Sequence, residues 1–294
     1  MKMSNLKLRL ILLLMVSGLV FTSCEDSNSV DILEVPEAIS EEETIALVES
    51  DDIADEVDNI VDDFLIEDLS LGNKTEASRE DGDKHGGMPD CVTKTIVLTN
   101  TTKMVTLDFG EGCELPNGHV LAGKIIMSYS FDLEMQIITI AQTFEDFSFN
   151  EVKVTGENTF VRIRENEKGN PQSTKSINVT LTWPDGEFMS RVGEKTREWI
   201  EGYDTRTWGD NVYLITGNWT NTFKDGTIFS ATITEPLRRE MSCRYIVSGI
   251  VEFVKGDATG SLNFGDGTCD NLAIYTNAEG VETEIVLRRR GMKH

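Results

Sequence analysis

Histidine is scarce in this chain, with only His85, His119 and His294 among 294 residues. No G-x-S-x-G elbow, H-E-x-x-H pair or G-x-x-x-x-G-K-[ST] loop is present, so hydrolase triads, zinc peptidases and P-loop enzymes find no footing. Basic residues are also few: 27 Lys and Arg stand against 51 Asp and Glu, for a net charge of −24. Nucleic acid and anionic lipid surfaces are poor partners for such a chain, because both are held through Lys and Arg. Long apolar runs are absent beyond one of twelve residues, Leu10–Phe21, interrupted only by Ser17 and Gly18. That run falls short of the roughly 20 residues a membrane-spanning helix needs.

What is present begins with an address. Lys2, Lys7 and Arg9 precede the apolar run, and Phe21-Thr22-Ser23-Cys24 closes it. A positive start, a short apolar centre and small residues at the end make a secretory signal over residues 1–23. Phe21-Thr22-Ser23-Cys24 resembles the lipobox of bacterial lipoproteins, with Phe21 where Leu is commoner. The resemblance implies cleavage before Cys24 and acyl chains on it, hence a membrane as partner. Two or more such chains anchor a protein stably. Glu25-Asp26 is similar to the acidic export signals of surface lipoproteins in the Bacteroidota. That implies an outer-membrane protein, facing outward or toward the periplasm.

The acidity is local. Eighteen acids and no Lys or Arg lie between Glu25 and Asp68. Residues 24–39 read as an acidic tether. Ser40 with Glu43 forms a capping box, which opens an acidic helical segment over 40–69. Ile53, Val57, Ile60, Val61 and Phe64 recur at helical spacing, while Ile45 and Val48 fall off that stripe. Ser50-Asp51-Asp52 offers a fresh N-cap, so two short helices are expected, about 41–49 and 52–66. The stripe is expected to dock on the protein's own body, since so short a helix is marginal alone. Residues 70–90 are polar and glycine-bearing, and read as a linker.

From Cys91 to residue 294 the pattern turns to β. Runs such as Ile125–Phe131, Ile137–Phe144, Ile177–Trp183 and Tyr213–Trp219 alternate apolar and polar residues. Asp185-Gly186, Asp225-Gly226 and Asp266-Gly267 mark hairpin turns. The fold class is therefore mainly β: an antiparallel meander, built as a sandwich, an open barrel or a long curved sheet, behind a short acidic helical arm. Two internal similarities sharpen it. Thr182–Gly186 matches Thr222–Gly226 at an offset of 40, and Leu107–Cys113 resembles Leu262–Cys269. With Cys24 assigned to lipid, four cysteines remain and three pairings are open. Cys91–Cys113 and Cys243–Cys269 are the expected disulfides, because each pair brackets one copy of the similar segment.

Asn263-Phe264-Gly265-Asp266-Gly267-Thr268-Cys269-Asp270-Asn271, with Thr182–Gly186, Arg197-Glu198-Trp199 and Asp108–Cys113, resembles an uncharacterised family of Bacteroidota lipoproteins. The resemblance spans about Cys91 to Leu287 and implies address and fold, with no activity attached.

Candidate chemistry is thin. Asp266, Asp270 and Asn271 are weak calcium candidates, since hard oxygens cluster at a tight turn, but Asp and Asn also suit turns by themselves. No cofactor is implied. A paired-carboxylate glycosidase needs only two acids at the right separation, and among 51 acids that criterion selects nothing. Trp183, Trp199, Trp208 and Trp219 fall within 37 residues, with Tyr203 and Tyr213 among them. Trp199, Tyr203, Trp208 and Trp219 are the candidate ligand-binding aromatics, because Trp and Tyr concentrate at binding hot spots. The expected function is a non-enzymatic surface module for binding, adhesion or envelope assembly, its partner an envelope protein or a glycan. A carrier for apolar ligands inside an open sheet is the alternative, and a carbohydrate-active enzyme stands behind both.

Overall fold

A computed structural model describes residues 39–40, 43–51, 53–54, 57–58, 89–99, 102–115, 118–132, 134–205 and 207–287. Residues 24–38 of the tether, residues 70–88 of the linker, and Ile60, Val61 and Phe64 lie outside the described residues.

The arm enters as helix α1 over 43–51, with helical backbone again at 53–54 and 57–58. Its capping box forms as the sequence implies: Ser40 N donates to Glu43 Oε2 (2.9 Å) and Glu43 N to Ser40 Oγ (3.1 Å). Of the fresh cap expected at Ser50-Asp51-Asp52, Ser50 and Asp51 are helical and Asp52 lies outside the described residues. Ser50 is buried and its hydroxyl donates back to the Leu47 carbonyl (2.7 Å), so α1 continues to Asp51. Val48, which the stripe left out, is buried beside Leu47, while Ile45 faces solvent.

The body is one antiparallel sheet of 14 strands. They are β1 (Thr93–Leu98), β2 (Lys103–Asp108), β3 (Cys113–Glu114), β4 (Val120–Asp132), β5 (Ile137–Phe149), β6 (Val152–Ile163) and β7 (Gln172–Thr182). There follow β8 (Phe188–Glu201), β9 (Val212–Phe223), β10 (Ile228–Glu240), β11 (Ile246–Lys255), β12 (Ala258–Asp266), β13 (Leu272–Asn277) and β14 (Glu282–Val286). Neighbours in sequence are neighbours in the sheet, except that β3 pairs only with β4 and leaves β2 beside β4. Among the described residues β1 and β14 end the strand order. Of the three forms the sequence leaves open, the protein adopts the long sheet.

The strands outrun the apolar segments that signal them, because their outward positions are Thr, Ser and Asn, which suit a pleated half-exposed surface. In β7, Ile177, Val179 and Leu181 are buried on one face. The opposite face carries hydroxyl pairs across β7 and β8, Thr174 with Thr196 (3.1 Å) and Thr180 with Ser190 (3.0 Å). On β7 one face is thus inner and the other carries hydroxyl groups. Pro236, which has no N–H to give a ladder, sits in β10 where the pairing with β9 and β11 shifts register.

The internal similarities correspond to shared structure. In the β7–β8 and β9–β10 turns, Gly186 (φ 84°) and Gly226 (φ 89°) take the left-handed conformation, and Asp185 and Asp225 accept from the N–H two residues on. Lys224 Nζ ties the two turns together by donating to the Gly186 carbonyl and the Glu187 carboxylate, both at 3.0 Å. Disulfides join Cys91 to Cys113 and Cys243 to Cys269, the pairing the similar segments suggest.

A single carboxylate pins the β6–β7 turn to β8. Glu198 accepts from Asn166 Nδ2, Lys168 Nζ and Asn170 Nδ2, each at 2.9 Å. These bonds, that from Asn166 foremost, lower its pKa from 4.5 to about 2. A depressed carboxylate stabilises the fold above its ordinary pKa and loses that contribution as pH falls through the folded value. Glu198→Gln should therefore cost about 2 kcal/mol at neutral pH, and the deficit should shrink between about pH 4.5 and pH 2. Urea denaturation of both chains across that range would measure it; a pH-independent difference would refute the clamp.

Candidate functional site

The inner face divides into two apolar clusters with a polar seam between them. The first cluster gathers Val105, Leu107, Ile125, Met127, Ile140, Phe160, Ile177 and Val179, and takes in Ile53 and Val57 of the arm. The second gathers Ile215, Trp219, Phe229, Ala231, Phe253, Leu262 and Tyr275, and takes in Ile39, Leu47 and Val48. β8 lies between them. Its inner positions are Arg191, Gly193, Lys195 and Arg197, which face Asn221, Trp219, Gly217 and Ile215 of β9.

Arg191 is 0 % exposed and Lys195 7 % exposed. Charges so placed have to be matched, and the matching acid comes from the arm. Asp51 accepts from Arg191 Nη2 and, at 3.5 Å, from Lys195 Nζ. Two further pairs extend the line: Glu43 with Lys255 of β11 (2.7 Å) and Asp58 with Lys175 of β7 (2.5 Å). From β11 to β7 is four strand spacings, about 19 Å. Residues 43 to 58 would cover about 22 Å as a helix. The arm therefore crosses the strands and sets an acid over each cation station.

Gly193 makes the seam possible. A Cβ there would fall 2.5 Å from both Cα and Cβ of Trp219 and 2.4 Å from the Asn218 carbonyl oxygen. In the space it leaves, Trp219 lies under both cations, with the Arg191 guanidinium carbon 4.5 Å and Lys195 Nζ 4.4 Å from its ring centroid. Cation–π attraction strengthens where water is excluded, so Trp219 shares with Asp51 the task of holding the two charges. Burial pushes the Tyr275 phenol above its ordinary pKa, and the carboxylate of Glu43 adds to that shift.

The aromatic candidates separate. Trp219 is 2 % exposed, within the seam. Trp199 is half-buried at the end of β8 and contacts Tyr203 (6.2 Å, edge-on) and Tyr213 (5.5 Å). Tyr203 is exposed, and Arg197 stacks on Tyr213 (4.1 Å). For Trp208, in a short 3-10 turn at Trp208–Asp210, only the backbone is described. Trp199 and Tyr203 are thus together at one end of the sheet, and Trp219 is apart from them.

Asp266 and Asp270 spend carboxylate oxygens on their own loop. Asp266 accepts from Thr268 N (3.2 Å) and Oγ1 (2.8 Å), which lowers its pKa, and Asp270 accepts from Leu272 N (3.0 Å). Asn271 follows at the start of β13, its carbonyl taken by Leu287 N (2.8 Å). No group of three or more His, Cys, Asp or Glu is arranged to hold a metal among the described residues. His119 is buried, bonded to Asn150 (2.9 Å) and packed on Phe149.

The seam is what sequence reading missed. Its signal was three cations, Arg191, Lys195 and Arg197, at same-face spacing in one strand of an otherwise acidic chain. Comparison with known protein families, with functionally characterised proteins and with solved structures returned no match.

Gly193→Ala should lower stability by about 3 kcal/mol, because the added methyl meets backbone rather than a yielding side-chain tip. Thermal unfolding would read it, with Gly209→Ala as the control, where a Cβ meets nothing and the backbone is not left-handed.

Proposed function

We propose that this chain is an exported, lipid-anchored, non-enzymatic binding protein of the bacterial envelope, whose ligand surface is the inner face of its sheet. The reading rests on one observation: the buried cations of the β7–β8 seam and Lys255 draw their counter-charges from the arm. A sheet built only for stability is served as well by apolar residues at such places, since buried ion pairs rarely outperform them. Residues held by a separate acidic segment are suited to exchange.

The lipobox-like Cys24 and the acidic tether support attachment to a membrane with the sheet held clear of it. The two disulfides support an oxidising compartment. This reading takes up the carrier alternative and keeps the non-enzymatic character. A second reading, contact with a glycan or an envelope protein at the end of the sheet, is favoured by exposed Tyr203 beside Trp199 and Tyr213.

Two measurements test the proposal. Cys24→Ser should move the protein from the membrane fraction to the soluble one or stop its processing; unchanged fractionation would defeat the anchor. Asp51→Lys sets a third cation against Arg191 and Lys195 and should loosen the arm. That variant should then bind the neutral fluorophore N-phenyl-1-naphthylamine several-fold more strongly than the parent. Equal binding, with the sheet intact by circular dichroism, would remove the inner face as a ligand surface.

A further inference from the structure

The seam carries more hydrogen-bonding capacity than the arm uses. Arg191 donates to Asp51 through Nη2, but its Nε and Nη1 have no hydrogen-bond partner. Asn221, 0 % exposed, has none at Nδ2 or Oδ1, and Trp219, 2 % exposed, has none at Nε1. Buried polar groups in folded proteins are almost always paired, because each unmet group forfeits its hydration. These three are contiguous. Arg191 and Asn221 are cross-strand partners on the inner face, Trp219 lies two residues before Asn221 on that same face, and the guanidinium rests on the indole ring. A seam serving only to seat the arm would have no use for the Asn221 amide or the Trp219 N–H.

Apart from Asn221 Oδ1, every unmet atom belongs to a donor group. Guanidinium N–H groups, a carboxamide NH₂ and an indole N–H are all donors suited to an oxyanion, which accepts several bonds through few atoms. The local charge agrees, since Asp51 stands against two cations. We infer that Arg191, Trp219 and Asn221 form an oxyanion pocket for a carboxylate or phosphate head group, with Asp51 of the arm closing over it. This rests on the inner face being the ligand surface, and it names the chemistry bound there. Next to the pocket are Val179 and Met189 on one side and Phe229 and Ala231 on the other, all buried. A head group on an acyl chain and a free small anion share the chemistry of the head, and the experiment separates them.

The mature full chain carrying Cys24→Ser would be titrated calorimetrically with acetate, inorganic phosphate, decanoate and monodecyl phosphate, with 1-decanol as the neutral control. Tryptophan emission would be followed in parallel. The anions should bind and shift the emission, and decanol should bind about tenfold more weakly than decanoate or not at all. Binding by acetate or phosphate as well as by decanoate identifies a free anion; binding only by the chain-bearing anions identifies an acyl ligand. Asn221→Leu should weaken binding about tenfold or more while leaving the melting temperature unchanged or raised, because leucine leaves no unmet polar atom. Undiminished binding by Asn221→Leu, or decanol binding as tightly as decanoate, would overturn the pocket. If the neutral fluorophore enters the Asp51→Lys chain but no anion binds the parent or Asp51→Asn, the pocket fails and the inner face stands. If neither binds, both fall.

Discussion

The Arg191 guanidinium lies wholly inside the inner face of the sheet. A buried charge of that kind has to be met by an opposite charge, by a ring face, or by both. Here Asp51 supplies the first and Trp219 the second. Removing one partner from such a pair costs about 3–5 kcal/mol, because the remaining charge stays buried. The arm's position over β8 follows from this constraint, as does the glycine at residue 193, which alone leaves room for the indole between the cations. The two apolar clusters on either side then take up the arm's Leu47 and Val48, and its Ile53 and Val57.

The same constraint gives the sheet an unusual economy. An open antiparallel sheet needs one face covered, and its other face can stay in water. On the outer face the cross-strand hydroxyl pairs of β7 and β8 add to the ladder. The inner face is closed in part by an acidic segment that reaches it through side-chain charges. Apolar contact and charge pairing act together at that junction. The apolar part is weakly directional, while the acids at 43, 51 and 58 fix which strands are crossed.

Much of the architecture was legible because it is local. The Ser40–Glu43 capping box, the Asp-Gly turns and the alternating strands each depend on residues a few places apart. The disulfide pairing was readable for a different reason: two similar segments each carry a cysteine, and similarity constrains pairing where spacing alone does not. The aromatic cluster was legible as a group but not as a surface. Trp199 and Trp219 sit on one face of a continuous pair of strands, yet one lies at the sheet's end and the other beneath the arm. The helix α1 reaches Asp51, which a cation 140 residues away holds.

From sequence alone came the strands, the turns, the cap and the acidic character of the arm, since each is set by neighbours along the chain. What only the tertiary structure decided is the seam. Arg191 and Asp51 stand 140 residues apart, and β8 carries polar residues on both faces, so its alternation gives no preference for which side is buried. That preference is set by β7 and β9, whose apolar residues point inward and carry the β8 cations with them. Only when the sheet is assembled and the arm laid across it do those charges acquire their partners.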